Sequence, residues 1–249
     1  MMRKVHVGTM GWSYGFWRES FYPKSLATSE FLAYYAERFR SVEVDNTFYR
    51  IPRERTVLGW KEQTPEGFLF SLKLPRVITH VKMLRGCEEE TRVFLERVEV
   101  LGEKLGALLL QFPYAFGSQQ FPLLKGFLGS LPKEHRYVVE VRNRKLLNDD
   151  LYSVLRENDV ALAWVESDFM PLVDEVTSGF VYVRWEGNRK KINGTLGKVE
   201  VDKTIYIKSW AEKLRQLAEK GIEVFGYFSK YYSGFPPSDV QEFLKFVDT

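Results

Sequence analysis

Residues 41–49 begin as an apolar strand and end in polar and aromatic residues: Ser41-Val42-Glu43-Val44-Asp45-Asn46-Thr47-Phe48-Tyr49. The same change occurs in Val5-His6-Val7-Gly8-Thr9-Met10-Gly11-Trp12 and is repeated in residues 70–76, 109–113, 139–142 and 183–186. Polar groups at the carboxyl ends of apolar strands are what a barrel enzyme or a barrel binding protein needs. The pattern therefore predicts where a site lies, without naming its reaction.

Eight such runs are predicted as strands: 5–8, 42–45, 68–72, 107–111, 137–141, 161–165, 180–184 and 224–228. Most are continuously apolar, as expected when both faces of a parallel sheet are covered. Helical patterns occupy 30–39, 88–105 and 209–220; Asn148 begins another helix, Gly221 closes the one before the last, and Pro236 opens the last. Eight strands alternating with about eight helices predict an α/β fold, a (β/α)₈ TIM barrel with a closed parallel sheet and outer helices. We expect one domain, residues 1–249.

The competing fold is a doubly wound open sheet. That fold places G-x-G-x-x-G after its first strand, and Gly8-Thr9-Met10-Gly11 does not match this motif. The barrel is therefore the favoured architecture.

Composition sets further limits. Aromatic residues make up 15% of the chain, so some are expected to line a pocket, and the formal net charge of +3 allows an anionic partner without requiring one. The single cysteine, Cys87, excludes an internal disulfide and is typical of a reducing compartment. The first strand leaves no room for a signal peptide, and no apolar run approaches the ~20 residues of a membrane span. We expect a soluble, cytoplasmic protein without a membrane partner; the oligomeric state is not predicted.

In a barrel, the residues that follow each strand share one face. This rule nominates as ligand-binding residues Thr9, Trp12, Asn46, Tyr49, Lys73, Arg76, His80, Gln111, Arg142, Arg184, Glu186 and Lys230. Glu43 and Glu140 interrupt apolar strands and are the catalytic candidates. Two interpretations of these glutamates stay open: general acid–base catalysis with a pKa tuned by burial, or ion pairs with Arg142, Arg184 or Lys73 that keep the barrel rigid.

Basic residues gather in the predicted loops after strands three, five, seven and eight. The segment 186–194 is basic and contains glycine, as an anion-binding loop would. Lys190 and Lys191 are better explained as solvated charges, whereas Arg142 and Arg184, held on strands, favour ligand or ion-pair contacts.

Metal and nucleophile signals are weak. Of the three histidines only His80 lies on the predicted active face, and a structural role suits each of them better. No metal site is assigned, although a single Mg²⁺ or Mn²⁺ on Glu43, Glu140 and Glu166 stays open. Cys87 has no histidine partner in the sequence pattern, and G-x-S-x-G is absent. No cofactor is predicted.

Several motifs resemble the DUF72 (YecE-like) family. They are Gly8-Thr9-Met10-Gly11-Trp12-Ser13-Tyr14, Phe21-Tyr22-Pro23, Asn46-Thr47-Phe48-Tyr49-Arg50, Lys73-Leu74-Pro75-Arg76, Ile78-Thr79-His80, Leu110-Gln111-Phe112-Pro113 and Val139-Glu140-Val141-Arg142. The resemblance spans most of the chain and is strongest before residue 145. It implies a TIM barrel and says little about activity, because the family is of unassigned function.

The chain departs from this family at three polar positions. Asn143 replaces a histidine, Arg184-Trp185-Glu186-Gly187 stands where Arg-Leu-His-Gly is usual, and Phe228-Ser229-Lys230 replaces Phe-Asn-Asn. The departures imply either a different ligand or a reduced activity, and metal ligation by those histidines is not carried over.

Three functions follow as hypotheses. The first is an enzyme that binds a small anionic or polyhydroxylated (phosphate- or sugar-like) ligand at the carboxyl-terminal mouth of the barrel. The second is a nucleic-acid-binding protein with an endonuclease IV-like barrel, in which basic loops contact phosphates and aromatic residues stack on bases. The third is a catalytically silent binding barrel.

Overall fold

The structure, a computed structural model, describes residues 4–247 and contains a closed barrel of eight parallel strands. The strands are β1 Val5–Met10, β2 Ser41–Val44, β3 Leu69–Lys73, β4 Leu105–Phe112, β5 Arg136–Val141, β6 Ala161–Ser167, β7 Phe180–Gly187 and β8 Glu223–Phe228. Each strand pairs in parallel with the next, and β8 pairs with β1. The predicted TIM barrel and all eight predicted strands are confirmed.

The interior of the barrel is filled by side chains that alternate with those facing the helices. The inner set is Met10, Leu69, Ala107, Leu109, Val138, Ala161, Ala163, Val165, Phe180, Tyr182, Phe225 and Tyr227. Small residues on β4 and β6 leave room for the rings of β7 and β8, where Tyr182 lies 5.3 Å from Tyr227 between ring centroids. The barrel is therefore a packed core, and polar groups gather at its carboxyl-terminal end.

Seven α-helices surround the strands within residues 4–247. They are α1 Phe31–Ala36, α2 Glu54–Glu62, α3 Glu88–Val98, α4 Phe121–Ser130, α5 Asp149–Glu157, α6 Thr204–Glu219 and α7 Pro236–Val247. The expectation of about eight helices fails between β6 and β7, where residues 168–179 form an irregular connection that contains Pro171.

Several predicted helix limits need correction. The helix predicted over 88–105 ends at Val98; a 3₁₀ segment, Glu99–Lys104, follows it, and Gly102 with φ 58° interrupts that segment. The helix predicted over 209–220 begins earlier, at Thr204. The predictions for Asn148, which caps α5 by accepting a hydrogen bond from the Leu151 N–H, and for Pro236 are confirmed.

In the part of the chain that the structure describes, no helix is both long enough and apolar enough to cross a membrane.

Candidate functional site

The carboxyl-terminal end of the barrel, here called the mouth, is lined by polar side chains from five strands. Each sits two residues beyond an inward-facing side chain of its own strand, so alternation turns all five into the barrel. All five are at most 9% exposed: Glu43, Lys73, Gln111, Glu140 and Arg184. The structure thus brings both predicted catalytic glutamates and three predicted ligand-binding residues together.

Arg184 lies at the centre of the mouth and is 1% exposed. Its Nε and Nη2 donate to the two carboxylate oxygens of Glu43 at 2.9 and 2.7 Å. Its Nη1 donates to Glu140 Oε2 at 2.7 Å and to Glu186 Oε1 at 2.6 Å. The remaining contact, from Nη2 to Met10 Sδ, is 3.4 Å. Because a guanidinium has five N–H groups, Arg184 keeps no free donor for a ligand.

The two glutamates are held in different electrostatic environments. Burial raises the pKa of Glu43, against the opposing charge of Arg184 and a 2.6 Å hydrogen bond from the Tyr182 hydroxyl. Burial also penalises the charged form of Glu140, but Arg184 and Arg142 together hold the pKa of that carboxyl well below its usual range. Glu140 is therefore firmly ionised, while Glu43 is the carboxyl of the pair that is easier to protonate.

Lys73 and Asp45 form the unsatisfied part of the mouth. Lys73 Nζ lies 4.0 Å from Asp45 Oδ1 and 4.2 Å from the centroid of the Phe48 ring, and it makes no hydrogen bond within residues 4–247. Asp45 Oδ1 is buried, lies 3.8 Å from Arg184 Nη2, and has no hydrogen-bond partner among the described residues. Burial lowers the pKa of Lys73; the carboxylate of Asp45 opposes this shift and Arg184 adds to it.

Arg142 and Gln111 bond to Glu140 on another side of the same network. Arg142 donates from Nε to Glu140 Oε1 at 2.5 Å and from Nη2 to Glu186 Oε1 at 3.1 Å, and its side chain is 29% exposed. Its Nη1 makes no hydrogen bond to the described residues, so two N–H groups remain for an anion. Gln111 donates from Nε2 to Glu140 Oε1 at 2.8 Å.

His80 borders this side of the mouth. Its Nδ1 is 2.9 Å from the Thr79 hydroxyl, and its ring meets Phe48 edge-on with centroids 4.8 Å apart. Burial and the nearby charges of Lys73, Arg76 and Arg142 lower the pKa of His80 to about 4. The imidazole is therefore neutral at pH 7.

Two cavities adjoin the mouth. A cleft of about 320 Å³ contains three predicted residues, Trp12, Asn46 and Tyr49, together with Asp45. A second cavity of about 420 Å³ shares Asn46 and is lined by Arg50, Arg53, Arg55, Thr56 and Trp60. Sequence reasoning missed this arginine-lined cavity, although the spacing of its three arginines is visible in the chain.

Three other predicted ligand-binding residues lie elsewhere. Thr9 faces α1, where its hydroxyl contacts the Tyr35 hydroxyl at 3.0 Å. Arg76 is exposed on the loop after β3. Lys230 Nζ lies over the rings of Tyr231 and Tyr14, 5.1 and 5.8 Å from their centroids, outside the polar cluster but beside the cleft that Tyr14 lines.

The Mg²⁺ or Mn²⁺ site on Glu43, Glu140 and Glu166 is not formed. Glu166 lies on the outer face of β6, where its carboxylate accepts hydrogen bonds from Trp210 Nε1 and from the Tyr232 hydroxyl. This open possibility fails because Glu166 follows the inward-facing Val165 by one residue, which turns it to the opposite face.

The glycine-containing loop after β7 is already bonded within the protein. Gly187 and Gly194 adopt φ 66° and 69°, and a Cβ at Gly187 would lie 1.9 Å from the backbone oxygen of Tyr231. The N–H groups of Asn193 and Gly194 donate to the carboxylate of Glu200 at 2.9 and 2.7 Å. An internal carboxylate thus occupies the position that the sequence analysis assigned to an anionic ligand.

One group of potential metal ligands lies at the opposite end of the barrel. Glu99, Glu134 and His135 place their ligand atoms within 4.8 Å of one another. Glu99 and His135 also form an ion pair at 3.0 Å, which explains their proximity without a metal. A structural role was expected for His135, and its position beside Glu99 and Glu134 was not predicted.

Comparison with known proteins agrees with this architecture. A family model described as "Protein of unknown function DUF72" matches residues 6–249. UPF0759 protein YecE of Escherichia coli is 38% identical over 139 residues, which are 56% of this chain and 48% of that protein, so the match spans about half of the relative's length. UPF0759 protein YunF of Bacillus subtilis is 24% identical over 98% of this chain and 95% of its own. A solved DUF72 family protein from Thermotoga maritima is 24% identical, with a TM-score of 0.78 over 98% of this chain and 99% of its own, which indicates the same fold.

Proposed function

This chain belongs to the DUF72 family, and we propose that it is a cytoplasmic enzyme that acts on a small anionic or polyhydroxylated molecule in the mouth of the barrel. The observation that carries this proposal is the pair Lys73 and Asp45, whose ammonium and buried carboxylate oxygen lie 4.0 Å apart without hydrogen bonds. Among the described residues, the other charged groups of the mouth all make hydrogen bonds: Glu43, Glu140, Arg142, Arg184 and Glu186. A buried polar atom without a partner is costly, and a ligand that bonds both groups removes that cost.

An anionic or hydroxyl-rich ligand suits the groups that remain free. Lys73 and the two N–H groups of Arg142 Nη1 supply positive donors, and Asp45 supplies an acceptor for a hydroxyl. The cleft formed by Trp12, Asn46 and Tyr49 provides aromatic walls of the kind that pack against sugar rings.

The geometry supports a division of roles that differs from the sequence-based hypothesis. Glu43 and Glu140 are buried and bonded at both of their carboxylate oxygens, and we assign them to holding Arg184 and Arg142 in place. We assign proton transfer to Asp45 and Lys73, whose Oδ1 and Nζ make no hydrogen bond to the described residues. Arg184 is the fixed positive charge at the centre of the mouth, and Arg142 is the arginine that contacts the anion.

A second candidate function, binding of single-stranded nucleic acid, is favoured by two exposed rings. Tyr49 and Tyr114 follow β2 and β4 at the mouth and are 81% and 74% exposed. Exposed rings beside basic loops are typical of surfaces that stack bases and contact phosphates. Binding of this kind weakens steeply with added salt, which separates it from binding of a small ligand.

A thermal-shift screen tests the proposal. Wild type, Arg142→Ala and the control Arg189→Ala would be melted with phosphosugars, free sugars, inorganic phosphate and short single-stranded oligonucleotides. A ligand at 100 times its Kd adds about 2.7 kcal/mol, which corresponds to roughly 5–11 °C in a chain of this size. We expect one small-ligand class to raise the Tm of wild type and of Arg189→Ala, and not that of Arg142→Ala. A shift with oligonucleotides alone would favour the second candidate, and no shift at all would favour a silent barrel.

A further inference from the structure

We propose that Lys73 is a nucleophile that forms a Schiff base with the carbonyl carbon of a small aldehyde or ketone bound in the mouth. This inference rests on the proposed function, because it names the chemical class of the ligand and the bond that the protein makes to it. It goes beyond that function in assigning covalent chemistry to one amine.

The position of the amine is the first argument. Lys73 is the last residue of β3, its side chain is 11% exposed, and its Nζ lies over the face of Phe48. The end of a strand in a closed barrel is rigid, so the amine is held in one position. A nucleophile held this way presents one geometry to a bound carbonyl group.

The second argument is that the amine of Lys73 makes no hydrogen bond to the described residues, whereas the amine of Lys104 does. Burial lowers the pKa of Lys104 as well, but its Nζ donates to the backbone oxygens of Lys61 and Thr64 at 2.6 Å each and to the Thr64 hydroxyl at 3.2 Å. All of its protons are therefore engaged in holding the chain. Lys73 has the burial without the hydrogen bonds, which leaves its lone pair available once the amine loses a proton.

The charges around Lys73 come from several elements. Burial is the main cause that lowers its pKa, and Arg184 on β7 acts in the same direction. Three carboxylates oppose the shift: Asp45 after β2, Glu140 on β5 and Glu43 on β2. His80, after β3, is a neutral neighbour at pH 7 because its own pKa is lowered to about 4. Arg184 donates hydrogen bonds to Glu43 and Glu140, whereas Asp45 Oδ1 accepts none from the described residues, so we assign the exchange of protons with the amine to Asp45.

The proposed step is balanced in atoms and electrons. The neutral amine attacks the carbonyl carbon, an N–C bond forms, and the electron pair of the C=O π bond moves to oxygen. Asp45, 4.0 Å from Nζ, carries two protons in turn from nitrogen to oxygen: the first converts the alkoxide to the carbinolamine hydroxyl, and the second lets that hydroxyl leave as water. The products are an imine on Lys73 and one water molecule, and no oxidant or reductant is consumed. Addition of water reverses the step.

Reductive trapping of each lysine tests the inference. Wild-type protein would be treated with glycolaldehyde and sodium cyanoborohydride at a series of pH values, and the labelled lysines quantified by peptide mass spectrometry. We expect Lys73 to be labelled with a midpoint pH below that of the exposed Lys190. Asp45→Asn should move the Lys73 midpoint to a still lower pH, because it removes the charge that favours the ammonium. The matched control Glu19→Gln, which removes the partner of Lys24, should leave it unchanged.

Absence of label on Lys73, or a midpoint equal to that of Lys190, would overturn the inference. A midpoint that Asp45→Asn does not move would also overturn it. Inorganic phosphate and sorbitol, which have no carbonyl group, separate this result from the proposed function. If they raise the Tm of wild type while Lys73 stays unlabelled, the mouth binds its ligand without covalent chemistry. If Lys73 is labelled and no ligand in the screen binds, the amine is reactive and the proposed ligand class fails.

Discussion

Replacement of Arg184 by methionine tests the ion pairs that hold the mouth of the barrel together. Arg184 is 1% exposed and donates to Glu43, Glu140 and Glu186 over distances of 2.6–2.9 Å. Methionine has a similar length and no charge. Arg184→Met therefore leaves Glu43 without the cation that it bonds, and it leaves Glu140 and Glu186 paired with Arg142 alone.

The magnitude follows from that geometry. Removal of one partner from a buried ion pair costs about 3–5 kcal/mol, and the loss of three contacts at once places Arg184→Met at the upper end. For a chain of this size each kcal/mol lowers the Tm by about 2–4 °C, so the expected loss is roughly 10–20 °C. The carboxylates left in the variant bind protons more readily when folded than when unfolded. Its free energy of unfolding therefore falls as the pH rises, and the deficit is smaller at pH 5 than at pH 8.

Urea unfolding monitored by tryptophan fluorescence at both pH values measures the effect. Arg189→Met is the matched control, because Arg189 is 62% exposed and contacts Glu186 only at 3.4 Å. We expect the control to stay within about 0.5 kcal/mol of wild type. A loss of less than about 1 kcal/mol in Arg184→Met, or a deficit that does not depend on pH, would refute the reasoning.

Three further predictions concern stability. Folding lowers the pKa of Glu140, so its carboxylate stabilises the folded protein above the ordinary glutamate pKa, and this stabilisation is lost as the pH falls below it. In Glu140→Gln the free energy of unfolding should therefore change less between pH 5 and pH 3 than in wild type. Tyr227→Phe should lower the free energy of unfolding by about 1–3 kcal/mol, because the Tyr227 hydroxyl lies 2.7 and 2.8 Å from the hydroxyls of Ser41 and Ser71 inside the barrel. Gly8→Ala should cost about 1–3 kcal/mol or more, because its Cβ would lie 1.9 Å from the backbone oxygen of Ser41.

Two variants serve as controls for these measurements by chemical denaturation. Tyr49→Phe removes a hydroxyl from a ring that is 81% exposed, and Gly129→Ala adds a Cβ on α4 with no atom within 4 Å. Tyr49→Phe should be neutral, and Gly129→Ala neutral or slightly stabilising. If the controls lose as much free energy of unfolding as Tyr227→Phe and Gly8→Ala, the explanation by local contacts is contradicted. If the free energy of unfolding of Glu140→Gln depends on acidic pH as it does in wild type, Glu140 is not the source of that dependence.

The strands were predictable because continuous apolar runs signal a doubly covered sheet. Helix limits were less so: Gly102 interrupts a helical pattern through its backbone conformation, while apolar residues continue beyond it. The connection between β6 and β7 lacks a helix, although the other strand-to-strand connections contain one. Such choices depend on packing that an apolar pattern does not record.

The inward-facing residues of the site were predictable from the alternation of side chains along each strand. Glu43, Glu140 and Arg184 face into the barrel and meet, whereas Thr9 and Glu166 lie on strands but face outward and do not. The partner that each charged group takes depends on the stagger between strands, which the sequence does not state.

Asp45 and Tyr182 were both missed as members of the site. Asp45 directly follows β2, and Tyr182 lies two residues before Arg184 on the same inward face, so both positions carried a usable signal. Glu186 stands where the family resemblance implies a histidine, and it completes the acidic surroundings of Arg184. Asn143, at another such position, bonds to the backbone of Tyr114 and of Lys145.

Lys73 Nζ and Asp45 Oδ1, 4.0 Å apart, make no hydrogen bond to the described residues, and we propose that both bind the ligand. Isothermal titration calorimetry of Lys73→Met and Lys190→Met, with the ligand that most raises the Tm of wild type, tests it directly. Loss of one charge-assisted contact of about 1.5–3 kcal/mol weakens binding roughly 10- to 150-fold. The account predicts this loss in Lys73→Met and wild-type affinity in Lys190→Met. Equal affinity in both variants would contradict it.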